Sequence, residues 1–301
     1  MLVMRLHASR RKAREAAVAE ALSLLQDLDP EAPAGGPLSE QGGLFWLTIP
    51  AESLGPLVER LPRLEYTSAA DLVLPEDEPR PPPAAGTVTS VRWRRRAHVV
   101  VRVYEHDPRA WREGAPDRRL FLYETGAGQL RPVRGYRGSR APLTHRALPV
   151  SDARLLVNLV HQARPGLLLD PFAGAGGIVL EGLASGWMVV SADVDAALRH
   201  GLAHLGAHHL VADARALPLS EGGVDAVATE PPYDRSAGEL VAEALAELAR
   251  VVRKDGRIAV LCARWQAAQA RAAAGELGLR NYLDTAIERR GTDVVALAWR
   301  R

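Results

Sequence analysis

The chain is poor in cysteine, lysine and aromatic residues, and it has no long apolar run. Its one cysteine, Cys262, excludes an intramolecular disulfide framework and a cysteine-rich zinc site, and it suits a reducing compartment. No stretch is apolar for the roughly 20 residues that a bilayer span needs, so no membrane association is expected. The N-terminal MLVMRLHASRRKAR lacks an apolar signal core after its charges. Its early arginines faintly resemble a transit peptide, but Glu15 and Glu20 follow soon, and the segment reads as the mature start of a cytoplasmic protein. Lysine occurs only at Lys12 and Lys254, so nearly all positive charge is arginine.

What is present is a chain of 301 residues, 47% of them hydrophobic, long enough for two or three units with real cores. The net charge of +2 hides a pattern. Residues 1–90 hold 8 basic and 13 acidic residues, residues 91–150 hold 14 arginines against 5 acids, and residues 151–301 hold 16 basic and 18 acidic residues. Positive charge gathered in one module is an electrostatic footprint for polyanions. An arginine-rich genome would account for the scarcity of lysine, but not for the scarcity of acids in this one block.

Periodicity divides the chain further. Strands at 2–8, 43–50 and 66–74 alternate with helices at 12–28 and 51–61, a pattern compatible with a small ferredoxin-like α+β domain over 1–85. The proline-rich PEDEPRPPPAAG (75–86) reads as a linker. Residues 86–147 form a cationic module with strands at 98–105 and 119–125 and an irregular loop or arm at 130–143. Over 148–301 strands and helices alternate regularly, with helices at 152–163, 178–185, 194–205, 238–252 and 265–277. Strands are expected at 166–170, 188–193, 209–212, 224–229 and 257–263, before a hairpin of 282–288 and 293–299 around Arg290-Gly291. That alternation predicts an α/β, doubly wound, mostly parallel sheet. Internal repeats are absent.

Ligand sites in such a sheet gather at the C-terminal strand ends, and four segments fall there. LLLDPFAGAGGIVLEG (167–182) is a buried strand ending in Asp170, then a turn with Phe172, Gly174 and Gly176, then a helix start. Glycines there let a ligand approach bare backbone. A dinucleotide fingerprint is disfavoured, because its third glycine would fall on Val179. Asp193 ends the second strand, where an acid can bind both ribose hydroxyls of a nucleoside; Asp195 is an alternative. Asp213, followed by Ala214, lies after the third strand and could meet an adenine amino group. TEPPYD (229–234) ends the fourth. Each segment also has a local role open to it: Asp170 and Asp193 as helix caps, Asp213 as a turn residue, Pro231-Pro232 as a strand stop. Their occurrence in order on successive strands argues for a shared site.

The acid followed by F-A-G-x-G resembles the first motif of S-adenosylmethionine (SAM) methyltransferases, where the acid faces the cationic amino acid end of the cofactor. The terminal hairpin resembles the one those enzymes add to the sheet. TEPPYD is similar to the (Asp/Asn)-Pro-Pro-(Tyr/Phe) motif of methyltransferases acting on exocyclic amines of bases. The chemistry suits the residue types. An aryl amine is a poor nucleophile because its lone pair is delocalised. A side-chain oxygen of Glu230 and the Pro231 carbonyl can accept its two N–H bonds and aim the lone pair at the methyl group. Pro232 completes the turn, and Tyr233 can stack on an unstacked base. Neither a metal nor a covalent nucleophile is needed, since a sulfonium is already activated. The departure is Glu230, one methylene longer than the usual Asp or Asn, which could misplace the amine by about 1 Å.

LRPVRGYRGSRAPL (130–143), followed by DARLLVNLVHQARPGLLLDPFAGAGG (152–177), resembles the corresponding stretch of THUMP-associated RNA guanine-N2 methyltransferases. The resemblance covers about 130–233 and, in general terms, the C-terminal sheet. It implies a Rossmann-like catalytic domain, SAM as cofactor, and methylation of guanine N2 in RNA, most often tRNA. It also implies that 1–85 corresponds to the ferredoxin-like domain preceding THUMP, and that THUMP itself is reduced or absent in the short block 86–147. On this resemblance Arg92, Arg94, Arg95, Arg96, Arg134, Arg137 and Arg140, interleaved with Trp93 and Tyr136, are the candidate RNA contacts. Arg92–Arg96 would serve equally as a charged strand edge that discourages aggregation. Two alternatives stay open at this stage: a DNA amino-methyltransferase, although no target-recognition region is evident, and a non-catalytic RNA-binding protein that keeps the fold.

Overall fold

The computed structural model describes residues 2–9, 13–30, 43–75, 91–94, 98–105, 120–134, 148–234, 239–289 and 292–301. Contacts divide the chain into two units, Met1–Ala110 and Trp111–Arg301.

The first unit is a small α+β unit that holds the three strands and two helices expected over 1–85 together with two strands from the cationic block. Strands β1 (Leu2–Ala8), β2 (Leu44–Ile49), β3 (Thr67–Pro75), β4 (Val91–Arg94) and β5 (His98–Glu105) form one sheet in the order β2-β1-β3-β5-β4, antiparallel at every junction. Helices α1 (Arg14–Leu24) and α2 (Leu54–Arg60) bury Ala17, Ala21, Leu24 and Leu57. Asp71, buried on the inner strand β3, accepts hydrogen bonds from Arg5 at 2.7 Å, His7 at 2.7 Å and Arg102 at 2.6 Å. Burial pushes this carboxyl up, yet these three partners hold it well below the usual carboxylate range. Part of the cationic block thus belongs to this sheet, since β4 carries Arg92 and Arg94.

The second unit opens with a two-stranded antiparallel ribbon, β6 (Leu120–Glu124) and β7 (Leu130–Arg134). Sequence reading made 130–143 an irregular loop, and 130–134 is instead a strand. Pro132 misled that reading, because proline is excluded from central strands. A two-stranded ribbon has only edge strands, where the missing N–H is tolerated.

The rest is a seven-stranded sheet flanked by helices. Strands β8 (Leu167–Asp170), β9 (Met188–Asp193), β10 (His208–Val211), β11 (Val224–Thr229), β12 (Val252–Ala263), β13 (Arg280–Arg289) and β14 (Thr292–Arg300) stand in the order β10-β9-β8-β11-β12-β14-β13. The first five are parallel and β14 is antiparallel to both its neighbours. Helices α3 (Val150–Leu159), α4 (Gly177–Ala184), α5 (Arg199–His204), α6 (Leu240–Val251) and α7 (Ala267–Glu276) cover it. In α6 the apolar residues Val241, Ala244, Leu245 and Leu248 recur at helical spacing and are all buried. Strands β8, β11 and β12 are apolar on both faces because helices cover both. Their side chains, with Trp299, form the core of the sheet. The strand order reverses between β8 and β11, so the connections leaving the two neighbouring strand ends run to opposite faces of the sheet and leave a crevice. Among the described residues no helix is long and apolar enough to cross a membrane.

Candidate active site

The crevice holds a cavity of about 730 Å3, within the range of ordinary ligand sites. Asp170, Phe172, Gly174, Asp193, Asp213, Ala214, Glu230, Pro231, Pro232 and Tyr233 all line it. The successive strand ends thus bring the sequence-derived candidates into one space. Gly176 is set apart. It caps α4 in the left-handed conformation (φ 79°), and a Cβ there would collide with the Leu205 side chain. The absent side chain lets the helix start close to its neighbours. Among the described residues no cluster of three or more His, Cys, Asp or Glu is placed to hold a metal ion.

Asp170, at the end of β8, is 1% exposed. Its Oδ1 accepts from the Thr229 hydroxyl at 2.9 Å and from the Phe172 amide at 3.4 Å. Burial, with smaller contributions from the Asp193 and Glu230 charges, pushes its carboxyl up to about 7 against those two bonds. No cationic side chain pairs with it among the described residues, so a positively charged ligand group in the cavity would offset the cost of burying its charge. Asp193 braces the glycine turn, accepting from Gly174 N and Asp195 N, each at 2.9 Å. Each carboxylate oxygen keeps a further lone pair for a ligand hydroxyl. Asp213 is more exposed and is held by Arg215 at 2.7 Å, which draws its carboxyl down. An acid facing a buried floor, a second acid on the glycine turn and a third at the rim suit a ligand joining a cationic amino acid to a nucleoside. SAM is such a ligand, and the residues present fit it.

The opposite wall is the Glu230-Pro231-Pro232-Tyr233 segment after β11. Glu230 and Tyr233 are hydrogen-bonded to each other, the phenol donating to Oε1. Arg289, near the end of β13, donates from Nη1 to the same Oε1 at 2.7 Å and to the Tyr233 oxygen at 3.1 Å. Its Nε lies 3.4 Å from the buried carboxylate of Asp152 on α3. Both Glu230 contacts therefore fall on one oxygen, and Oε2 has no partner among the described residues. Burial raises the Glu230 carboxyl, Arg289 and the Tyr233 hydroxyl oppose that, and Asp152 adds to it. Behind the prolines, fully buried Gln266 donates from Nε2 to the Pro232 carbonyl at 2.9 Å.

Sequence reasoning missed Arg289 and Gln266. Arg289 sits beside the hairpin turn, about sixty residues after Glu230, and no motif spacing ties the two. Of the candidate RNA contacts, Arg92 and Arg94 lie on β4 and Arg134 ends β7, while Arg95, Arg96, Arg137 and Arg140 lie outside the described residues.

No family model matches the chain. Over 128 residues it is 30% identical to a probable tRNA (guanine(10)-N2)-dimethyltransferase of Methanothermococcus thermolithotrophicus, covering 37% of this chain and 79% of that protein. The chain belongs to the tRNA guanine-N2 methyltransferase family. A tRNA (guanine(10)-N2)-dimethyltransferase of Methanothermobacter thermautotrophicus is 42% identical over 92 residues, and there the match spans 28% of this chain but only 27% of that longer relative. Among solved structures, TrmN from Thermus thermophilus matches over 99% of both chains at 19% identity, with a TM-score of 0.49. Geranyl diphosphate methyltransferase in complex with SAM matches over 51% of this chain and 86% of that one, at 16% identity and a TM-score of 0.43.

Proposed function

We propose that this member of the family transfers a methyl group from SAM to the N2 amino group of a guanosine in tRNA, in the cytoplasm. The observation that carries this reading is the arrangement of Glu230. The extra methylene, which departs from the usual Asp or Asn, is taken up by anchoring Oε1 to Arg289 and Tyr233, so that Oε2 is left to accept from a base amine. Oε2 and the Pro231 carbonyl then take the two N2–H bonds and leave the nitrogen lone pair directed into the cavity. Tyr233 holds the base by its ring face. In the same cavity Asp170 would hold the cationic amino acid end of the cofactor and Asp193 its ribose hydroxyls, with Asp213 and Ala214 available to its base. When bound, SAM supplies a methyl group on a positively charged sulfur, whose bond to carbon breaks as the N2–carbon bond forms. The nitrogen then carries one proton too many. Glu230 Oε2, whose carboxyl sits above its ordinary range through burial, receives it and releases it to water. Arg92, Arg94, Arg95, Arg96, Arg134, Arg137 and Arg140 of the cationic block would supply phosphate contacts.

Incubating the full chain with labelled SAM and unmodified tRNA, beside duplex DNA, tests this reading. Labelled N2-methylguanosine in digested tRNA and none in DNA is the expected result. Confirmed SAM binding with no label in any RNA would sink it in favour of a binding protein, and label in DNA alone would move the acceptor.

A further inference from the structure

A second cavity, of about 510 Å3, shares Tyr233 with the first. Among the described residues its remaining lining is Ala263, Arg264 and Trp265, which end and follow β12, and Asp293 near the start of β14. Trp265 is 37% exposed, one of few large apolar side chains on the surface. Leaving part of an indole in water forgoes hydrophobic stabilisation. Arg264 is exposed beside it, and its guanidinium has no hydrogen-bond or ion-pair partner among the described residues.

These two side chains stand on a rigid base. Buried Gln266 accepts from Ala263 N at 2.9 Å while donating to the Pro232 carbonyl at 2.9 Å. Arg264 N donates to the Asp293 carbonyl at 3.0 Å. The Arg264-Trp265 turn is therefore tied by hydrogen bonds both to the Pro-Pro-Tyr segment and to β14.

Resting on the function proposed above, we propose that this second cavity is a subsite for the nucleotide adjacent to the target guanosine, its base stacked on Trp265 and its phosphate paired with Arg264. An exposed aromatic ring next to an unpaired guanidinium is the combination that holds single-stranded nucleic acid without reading its sequence. A base extracted into a pocket must part from its stacked neighbours, and that neighbour then needs a new ring face. One shared side chain between the two cavities matches consecutive nucleotides rather than distant ones. The exposed Asp293 carboxylate on the facing strand disfavours a phosphate on its side and turns the RNA backbone toward Arg264.

The test compares the full chain with Trp265→Ala, Trp265→Phe and Arg264→Gln. An unmodified tRNA transcript is the RNA probe, read by fluorescence anisotropy and by methyl transfer, and calorimetry reads SAM affinity. Stacking losses of this kind correspond to roughly 5- to 100-fold, so Trp265→Ala should weaken tRNA binding and raise its KM by about tenfold or more. SAM affinity should stay within twofold, Trp265→Phe should recover most of the loss, and Arg264→Gln should lower the salt dependence of tRNA binding. Unchanged tRNA affinity in Trp265→Ala with SAM binding intact overturns the subsite. Loss of SAM binding as well would also overturn it, since Trp265 would then be structural. If the wild-type chain binds tRNA through Trp265 but transfers no methyl group, the subsite stands and the catalytic reading falls.

Discussion

Glu230 is the residue at which the sequence departs from the motif it resembles, and Arg289 and Tyr233 both hold its Oε1. A longer acid in an amine-binding motif is tolerable if one of its oxygens is fixed, and Arg289 and Tyr233 fix one. The same contact has an electrostatic consequence. Burial and Asp152 push the Glu230 carboxyl up, while the Arg289 cation and the Tyr233 hydroxyl hold it down. A protonated Glu230 offers a poorer acceptor, so turnover should fall as pH drops through this raised value. Removing the cation raises the value further. Arg289→Gln should therefore shift the acid limb of the kcat profile to higher pH and lower kcat at neutral pH by about tenfold or more. Arg289→Lys should recover part of the shift. An acid limb that stays in place when kcat falls would mean that Arg289 acts only by packing.

The ribbon of β6 and β7 packs on α5 through one aromatic side chain and one acid. Phe121 is fully buried, and it lies directly over Gly201 of α5, where a Cβ would penetrate its ring. Glu124 adds contacts at the rim, 2.9 Å from Arg199 and 3.4 Å from His200, but exposed ion pairs contribute little. The apolar contact therefore secures the ribbon. Gly201→Ala should destabilise the unit by ~1–3 kcal/mol through overpacking, seen as a lower Tm, and Phe121→Leu in the same chain should restore part of it. A Tm unchanged by Gly201→Ala would show that the ring moves aside freely. The element also shows why sequence reading ended early here. Alternation and β-branched residues mark 98–105 plainly, but LRPVR carries a proline and two arginines, and only its pairing with 120–124 makes it a strand.

On the scale of the molecule, every candidate cofactor and catalytic residue falls within Trp111–Arg301, while Arg92 and Arg94 fall within Met1–Ala110. The division implies a separation of tasks. A fragment of residues 111–301 should bind SAM as tightly as the full chain by calorimetry. Its tRNA affinity should be lower, with a shallower dependence on salt, because fewer phosphates are neutralised. Equal tRNA affinity and salt slope in fragment and full chain would remove the first unit from RNA binding.

The sequence by itself determined the alternating α/β order, the seven strands of the large sheet and the four segments at strand ends. These follow from local causes: apolar runs that must be covered on both faces, glycines where a Cβ would collide, and acids placed where a strand stops. Membership in an amino-methyltransferase class was legible for the same reason, because Asp170, Gly174 and Glu230-Pro231-Pro232-Tyr233 carry their chemistry within a few residues of each other or at strand ends in order. Tertiary structure alone decided which far residues complete the site. Arg289 comes from β13, Asp152 from α3, and Gln266 from the turn after β12. They converge because parallel strands end on one side of the sheet and β14 brings β13 alongside. The state of Glu230, one oxygen held and one open, depends on charge and burial contributed by those distant elements, and no spacing along the chain encodes it.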